Sequence, residues 1–496
     1  MAFSAETFVA AVALIGVVIL VAALLSGVVD RTGIPQVAMF LILGVLLGPY
    51  GLKLIALNLD SPALRTISTL SLVLVLFSDS VTMDIAGLRR HARLAFTVLG
   101  PGTLVSAGLI ALAAWGLLGL SVPLAAILGA ALASTDPVMM RGVLRRDDVP
   151  VAARFALQVE SGLNDVVVLP IVLIAMGFLH PAAGDGASGE VFRTLLDVFL
   201  LGPVAGAAVG LAAVGILAAV RTRVGMRRDY ESLYVLGIAF TAYAAAEAVH
   251  GSGFMAAFAA GLTVAMVDVD MCECFHDFGQ ATAEMFLLFT FVAFGAYLIW
   301  TGLDVITLRV LGFAVVGLLG RSAVLFLVLR GGALDRAGRD LVVWYGPRAL
   351  SSLLLVLVPY FAGVRESAVL FPIVALVVLF SVIFHGLLAV ILTRRLTPAA
   401  GAAATVQPVP APPVPPPGAS PPDGLVHDPV LITFDELDRL RQSGQPVTLL
   451  DVRTDNAWLG SEVKARGAVR LPPDRPVDNA ARLALPRQGW LVGYCA

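Results

Sequence analysis

Charge is scarce in this chain. Only 14% of its 496 residues are Asp, Glu, Lys or Arg, against about 25% in a soluble globular protein. Cysteine is scarcer: Cys272, Cys274 and Cys495 are too few for a disulfide framework. Met1–Phe8 carries Glu6 and no basic side chain, so the positive n-region of a cleaved signal peptide is lacking. The formal net charge is −2, which points to no charged partner. With a mean hydropathy of +0.91, these shortages exclude a nucleic-acid binder, a disordered chain and an ordinary cytosolic enzyme as the main body.

What is abundant is apolar sequence, at 58% of residues. About 20 mostly apolar residues make a helix that crosses a bilayer. Runs of that kind fall at 7–29, 34–49, 64–81, 94–119, 122–142, 152–179, 192–220, 230–248, 251–269, 281–300, 304–330, 339–361 and 366–394. The second and third are short, and the first reads as a retained helix. The pattern predicts an all-α polytopic membrane protein of about 13 transmembrane helices over residues 1–397.

Basic residues in short loops set orientation. Sixteen Lys and Arg residues, from Arg31 to Arg395, lie in loops after odd-numbered runs; four (Lys53, Arg65, Arg193, Arg365) lie in loops after even-numbered ones. The expectation is a cytoplasmic-membrane protein with its N-terminus outside and its C-terminus in the cytoplasm. Residues 398–426 are Ala/Pro-rich and read as a semi-extended linker. Residues 427–496 change character. A capping box at Thr433 and Glu436 opens a helix, and VTLLDVR and WLVGYCA read as strands of a soluble α/β segment.

Ionisable groups at bilayer depth are costly, so they pair or line a pathway. Ser134-Thr135-Asp136-Pro137 sits late in the fifth run, where proline breaks the helix and polar groups can satisfy the freed backbone. Glu160-Ser161-Gly162-Leu163-Asn164-Asp165 lies inside the sixth. Ser161 and Asp165 share one helix face, and Glu160 and Asn164 the adjacent one. Oxygen ligands suit a hard cation, and a carboxylate that also takes a proton makes cation and proton compete. Arg321 and Arg348 fall within the eleventh and twelfth runs, where Asp136 and Glu160 are available partners, leaving Asp165 unpaired. Asp136-Pro137 and Pro347-Arg348 stand seven helices apart, the separation expected of two inverted six-helix repeats joined by one helix.

These motifs resemble the monovalent cation:proton antiporter-1 family, the sodium/proton exchangers. The resemblance rests on Thr135-Asp136-Pro137, Glu160-Ser161-x-x-Asn164-Asp165, His250-Gly251-Ser252-Gly253 with Gly261, Arg321, and Gly346-Pro347-Arg348. It implies crossed, broken helices five and twelve, with Asp165 shared by Na⁺ and H⁺. Thr135 and Ser161 are implied as further ligands, and Asn164 and Glu160 as holding the site. Glu160 is implied to face Arg348, and Asp136 to face Arg321. The Asn-Asp pair implies electroneutral one-for-one exchange, serving pH and sodium homeostasis. A homodimer is implied, with no cofactor and no metal beyond the transported cation; Na⁺, Li⁺ and K⁺ stay open. The tail, through Leu449-Leu450-Asp451-Val452-Arg453, Gly467-Ala468 and Tyr494-Cys495, resembles a truncated rhodanese with Cys495 in the position of the sulfur-carrying residue.

Other groups read more blandly. Asp268, Asp270, Cys272, Glu273, Cys274, His276 and Asp277 form an irregular, metal-like loop cluster; Asp79, Asp84, Glu247, Glu284, His180, His250 and His385 read as packing or interface positions. A cation channel, or a sulfur-linked enzyme or sensor acting through the tail, is the alternative. A channel needs no titrating carboxylate, and an enzyme needs a full loop after Cys495.

Overall fold

The computed structural model describes residues 36–396 apart from 50, 55–57, 84, 145–148, 180–186, 225–227, 268–284, 297 and 332–333; before them it describes Gly16, Leu20 and Leu24. Of the tail it describes 437, 439–441, 446–453, 465, 467–471, 479–480, 483, 485 and 490–494. Most of the first apolar run, the 268–277 cluster, Asp84, His180, Glu284, the linker, the Thr433–Glu436 capping box and Cys495 lie outside the described residues. The chain divides into two units, Met1–Ala403 and Ala404–Ala496.

The first unit is helical. Its principal helices are α1 (Gln36–Leu47), α2 (Pro62–Val81), α3 (Leu104–Leu118), α4 (Val122–Ala133), α5 (Pro137–Leu144), α6 (Val151–Gly177) and α7 (Gly202–Arg223). Then come α8 (Arg228–Ala248), α9 (Gly253–Val267), α10 (Met285–Ala296), α11 (Leu308–Val328), α12 (Arg336–Trp344), α13 (Leu350–Phe361) and α14 (Leu370–Leu396). Among the described residues seven helical spans are long and apolar enough to cross a membrane, and five shorter apolar helices accompany them. Each expected run from the second to the thirteenth thus carries helix.

Two runs depart from a continuous helix. The fifth stops at Ala133, continues extended through Ser134–Asp136 and restarts at Pro137. The twelfth stops at Trp344 and restarts at Leu350. Pro137 and Pro347 lack the amide hydrogen that would carry the helix on. The fourth and seventh runs keep their direction through π-helical turns at Val98–Thr103 and Asp197–Leu201.

Close packing is set by small residues, as expected where lipid tails offer no hydrophobic drive between helices. Gly202, Gly206 and Gly210 form a stripe on α7 against Ser252, Ala256 and Ala260; a Cβ added at Gly206 lies 2.1 Å from the Ala256 carbonyl oxygen. Gly261 of α9 meets α2, where an added Cβ lies 2.0 Å from Ser80 Oγ. Gly251 abuts the backbone of Leu201 and Gly202, and Gly253 the ring of Tyr243. The His-Gly-Ser-Gly motif and Gly261 therefore serve helix approach.

The second unit contains a parallel sheet in the order β2–β1–β3, built of β1 (Val447–Asp451), β2 (Val469–Arg470) and β3 (Trp490–Tyr494). Asp451, at the end of the central strand, is paired with Arg453 and accepts from the Tyr494 hydroxyl at 2.8 Å. The guanidinium beside it holds the Asp451 carboxyl well below the usual carboxylate range. The Leu-Leu-Asp-Val-Arg motif is thus the strand end and its ion pair.

Candidate ion site at the crossing of two broken helices

The two breaks meet. The Asp136 amide donates to the Pro347 carbonyl at 2.9 Å, joining the extended segments back to back. A broken helix leaves amides pointing out of each new N-terminus and carbonyls out of each new C-terminus, with partial charges of opposite sign. Each end is matched here by a buried side chain.

Asp136 serves both N-termini. Its Oδ1 accepts from Val138 N at 2.9 Å and Met139 N at 3.2 Å, at the start of α5. Its Oδ2 accepts from Leu350 N at 2.8 Å, at the start of α13. The C-termini are served by the arginines. Arg348 Nε donates to the Leu132 carbonyl near the end of α4 at 2.7 Å, and Nη1 to the Gly346 carbonyl. Arg321 donates to the Val342 carbonyl at 3.0 Å and the Val343 carbonyl at 3.2 Å, closing α12. Gly346 leaves room for that guanidinium: an added Cβ lies 2.3 Å from Arg321 Nη1.

Both expected pairings, Glu160 with Arg348 and Asp136 with Arg321, are overturned. Glu160 meets Arg321, not Arg348, in a two-toothed ion pair with both residues buried. The reason lies in the breaks. Asp136 is drawn to the half-helix amides, so Arg321 takes the other buried carboxylate while also reaching the α12 carbonyls. Planar guanidinium geometry allows both at once.

Asp165 lies on α6, 1% or less exposed at its side of the crossing. The Ser134 hydroxyl donates to its Oδ1, and the Ser351 hydroxyl from the first turn of α13 also bonds this carboxyl group. Asp165 Oδ2 and Asn164 Oδ1 are buried without a hydrogen-bond partner among the described residues. Ser352 Oγ and Arg348 Nη2 are in the same condition, so Arg348 too keeps an unused group, a donor, at the crossing. Thr135 and Ser161 are engaged elsewhere: Thr135 Oγ1 accepts from Asn164 Nδ2 at 2.8 Å, and Ser161 Oγ donates to the Gln158 carbonyl at 3.4 Å. The structure thus brings Ser134, Thr135, Asp136, Glu160, Asn164, Asp165, Arg321 and Arg348 together. It adds Ser351, whose sequence signal was a pair of serines opening the apolar stretch Leu-Ser-Ser-Leu-Leu-Leu three residues after Arg348.

Two other sequence candidates among the described residues have contacts of their own. Glu247 Oε1 accepts from Gly253 N at 3.1 Å, which joins α8 to α9. Asp79 faces α6 across Gly162, 3.8 Å from where a Cβ would stand. Among the described residues no group of three or more His, Cys, Asp or Glu side chains could hold a metal ion.

The fold and the crossing define a class: a polytopic membrane protein whose two interrupted helices cross beside a buried carboxylate. Residues 16–395 match the sodium/hydrogen exchanger transmembrane family, and the chain belongs to it. It is 26% identical over 382 residues to the K⁺/H⁺ antiporter NhaP of Alkalimonas amylolytica, covering 75% of this chain and 64% of that protein. It is 24% identical over 370 residues to the K⁺/H⁺ antiporter NhaP2 of Shewanella baltica, covering 74% and 63%. The chain therefore spans slightly under two thirds of the length of these relatives. A Na⁺/H⁺ antiporter, NhaS2 of Synechocystis, is 30% identical over 200 residues, covering 40% of this chain and 35% of that one. The fold is that of the sodium proton antiporter MjNhaP1 from Methanocaldococcus jannaschii, with a TM-score of 0.62 at 20% identity over 78% of this chain and 97% of that one. These relatives are secondary transporters rather than enzymes.

Proposed function

We propose that the chain exchanges a monovalent cation for a proton across the cytoplasmic membrane, one for one, with Asp165 as the group both ions share. The observation that carries this reading is the state of the buried charges. Asp136 is spent on half-helix amides and Glu160 on Arg321, while Asp165 keeps an oxygen without a partner beside an equally unpartnered Asn164 oxygen. A carboxylate buried in that condition is stabilised either by a proton or by a cation. Binding one excludes the other, and alternating exposure of the site converts exclusion into exchange.

Asp165 Oδ2 and Asn164 Oδ1 are the natural ligands, with the Ser134 and Ser351 hydroxyls able to turn their oxygens inward. Thr135 supports the site through Asn164, and Ser161 contributes from the same turn of α6. Pro137 ends the first half-helix, and Asp136, Glu160, Arg321 and Arg348 hold the crossing. Position 164 being Asn and not Asp supports electroneutral exchange, since one titrating carboxylate carries one charge either way. The relatives' names, K⁺/H⁺ for NhaP and NhaP2 and Na⁺/H⁺ for NhaS2, support an alkali cation. On this reading the protein works as a homodimer in pH and sodium homeostasis, with thirteen spans, the N-terminus outside and a rhodanese-like tail in the cytoplasm that takes no part in exchange.

The test is cation-driven recovery of a pH-dye signal in proteoliposomes, with Na⁺ and K⁺ compared and the membrane potential clamped. Exchange that ignores the clamped potential and vanishes in Asp165→Asn is expected. Robust exchange by Asp165→Asn removes the site, and a rate that follows the potential removes the one-for-one stoichiometry.

A further inference from the structure

The second break is held from a third side, by α14. Arg348 N, the first amide after Pro347, donates to Ser381 Oγ at 2.7 Å. His385 Nδ1, one turn further along the same helix, lies 3.1 Å from Ser381 Oγ and 3.0 Å from the Ser381 carbonyl oxygen. Both side chains are buried, His385 at 2% exposure. The Trp344 carbonyl, the last of α12, also bonds the imidazole. The ring is wedged edge-on between Phe384, at 5.0 Å between centroids, and Tyr345, at 6.2 Å. Tyr345 in turn donates its hydroxyl to the Met139 carbonyl of α5 at 3.0 Å.

With Nδ1 as the acceptor, one chain of hydrogen bonds links Arg348, Ser381, His385 and Trp344. The Arg348 amide donates to Ser381 Oγ, the Ser381 hydroxyl donates to His385 Nδ1, and His385 Nε2–H donates to the Trp344 carbonyl. In that tautomer a neutral histidine bridges the backbone on both sides of the extended segment: the last carbonyl before it and, through Ser381, an amide inside it. Asp136 fixes the far end at Leu350 N. Ser351 follows immediately, in contact with Asp165. The position of the Ser351 hydroxyl is therefore set by groups outside the ion site.

We propose that His385 and Ser381 are positioning residues that clamp the second break in the register delivering Ser351 to Asp165, and so set cation affinity without touching the ion. This rests on the exchange reading given above. A charged imidazole could not accept from Ser381, and an apolar side chain of similar size could bridge nothing. Packing alone accounts for neither the serine–histidine pairing nor its two backbone partners.

The experiment uses the full chain in proteoliposomes. Ser381→Ala and His385→Leu should raise the apparent KM for the cation about three- to tenfold, the range set by one buried hydrogen bond, with a smaller change in maximal rate. His385→Gln, which keeps a donor and an acceptor, should recover most of the lost affinity. Hydrogen exchange of the same proteins gives a readout independent of transport. In His385→Leu the amides of 345–350 should lose protection while those of α4 and α11 keep theirs. Unchanged KM together with unchanged protection overturns the clamp, as does a His385→Gln variant no better than His385→Leu. If the wild-type chain performs no exchange, the functional reading falls; the protection pattern then decides whether the clamp stands.

Discussion

At the scale of the residue, what separates the buried charges is whether their oxygens and hydrogens are already spoken for. Arg321 and Glu160 satisfy each other, so removing one leaves an uncompensated buried charge, at a cost of about 3–5 kcal/mol. Arg321→Ala is expected to lower the melting temperature in detergent far more than Asp165→Asn does. Equal melting of Arg321→Ala and wild type would show the pair to be dispensable. Asp165→Asn removes a charge held by hydroxyls and by no ion pair among the described residues, with one oxygen unpartnered there, so it should fold normally and fail to exchange. Ser134→Ala and Ser351→Ala each remove one hydroxyl from the carboxylate. Each should raise the apparent cation KM several-fold, by the ~1 kcal/mol of a typical hydrogen bond, in initial-rate assays over a range of cation concentrations.

At the scale of the element, the two broken helices are stable because each new end finds an ion of the right sign. Asp136 meets two N-termini; Arg348 and Arg321 meet the two C-termini. Gly346 is part of the same device, since only a residue without Cβ lets Arg321 lie against the extended segment. Gly346→Ala must displace that guanidinium and should cost about 1–3 kcal/mol as overpacking does. A thermal melt and the apparent cation KM should worsen together, because Ser351 hangs from the same segment. A variant indistinguishable from wild type in both would show that the guanidinium relocates freely.

At the scale of the whole molecule, every residue assigned to ion chemistry precedes residue 397, and the tail forms a separate unit. Deleting 398–496 should leave exchange intact in a well-inserted protein. Loss of transport on that deletion, with insertion verified by fluorescence-detected chromatography, would mean that the tail is coupled to the cycle. The 16-to-4 asymmetry of basic loop residues predicts that a reporter fused after Arg395 behaves as cytoplasmic; an extracytoplasmic signal there would invert the topology.

The sequence by itself determined the class, the helical nature of the second to thirteenth apolar runs and the identity of nearly every side chain at the crossing. Its reasons are local: a run of apolar residues must be buried in lipid, a proline must interrupt a helix, and a charge in such a run needs a reason to be there. What only the tertiary structure decided is partnership. Two carboxylates and two arginines can be matched in more than one way, and the choice of Glu160 for Arg321 followed from where Asp136 was already consumed by backbone amides. Ser351 and the Ser381–His385 pair stayed hidden for the same reason. A hydroxyl or an imidazole in an apolar helix carries no mark of what it bonds until its partner is folded against it: Ser351 stands 186 residues after Asp165 and Ser381 stands 33 after Arg348. Hydrogen bonds act over about 3 Å, so they become legible only when the chain has brought their ends together.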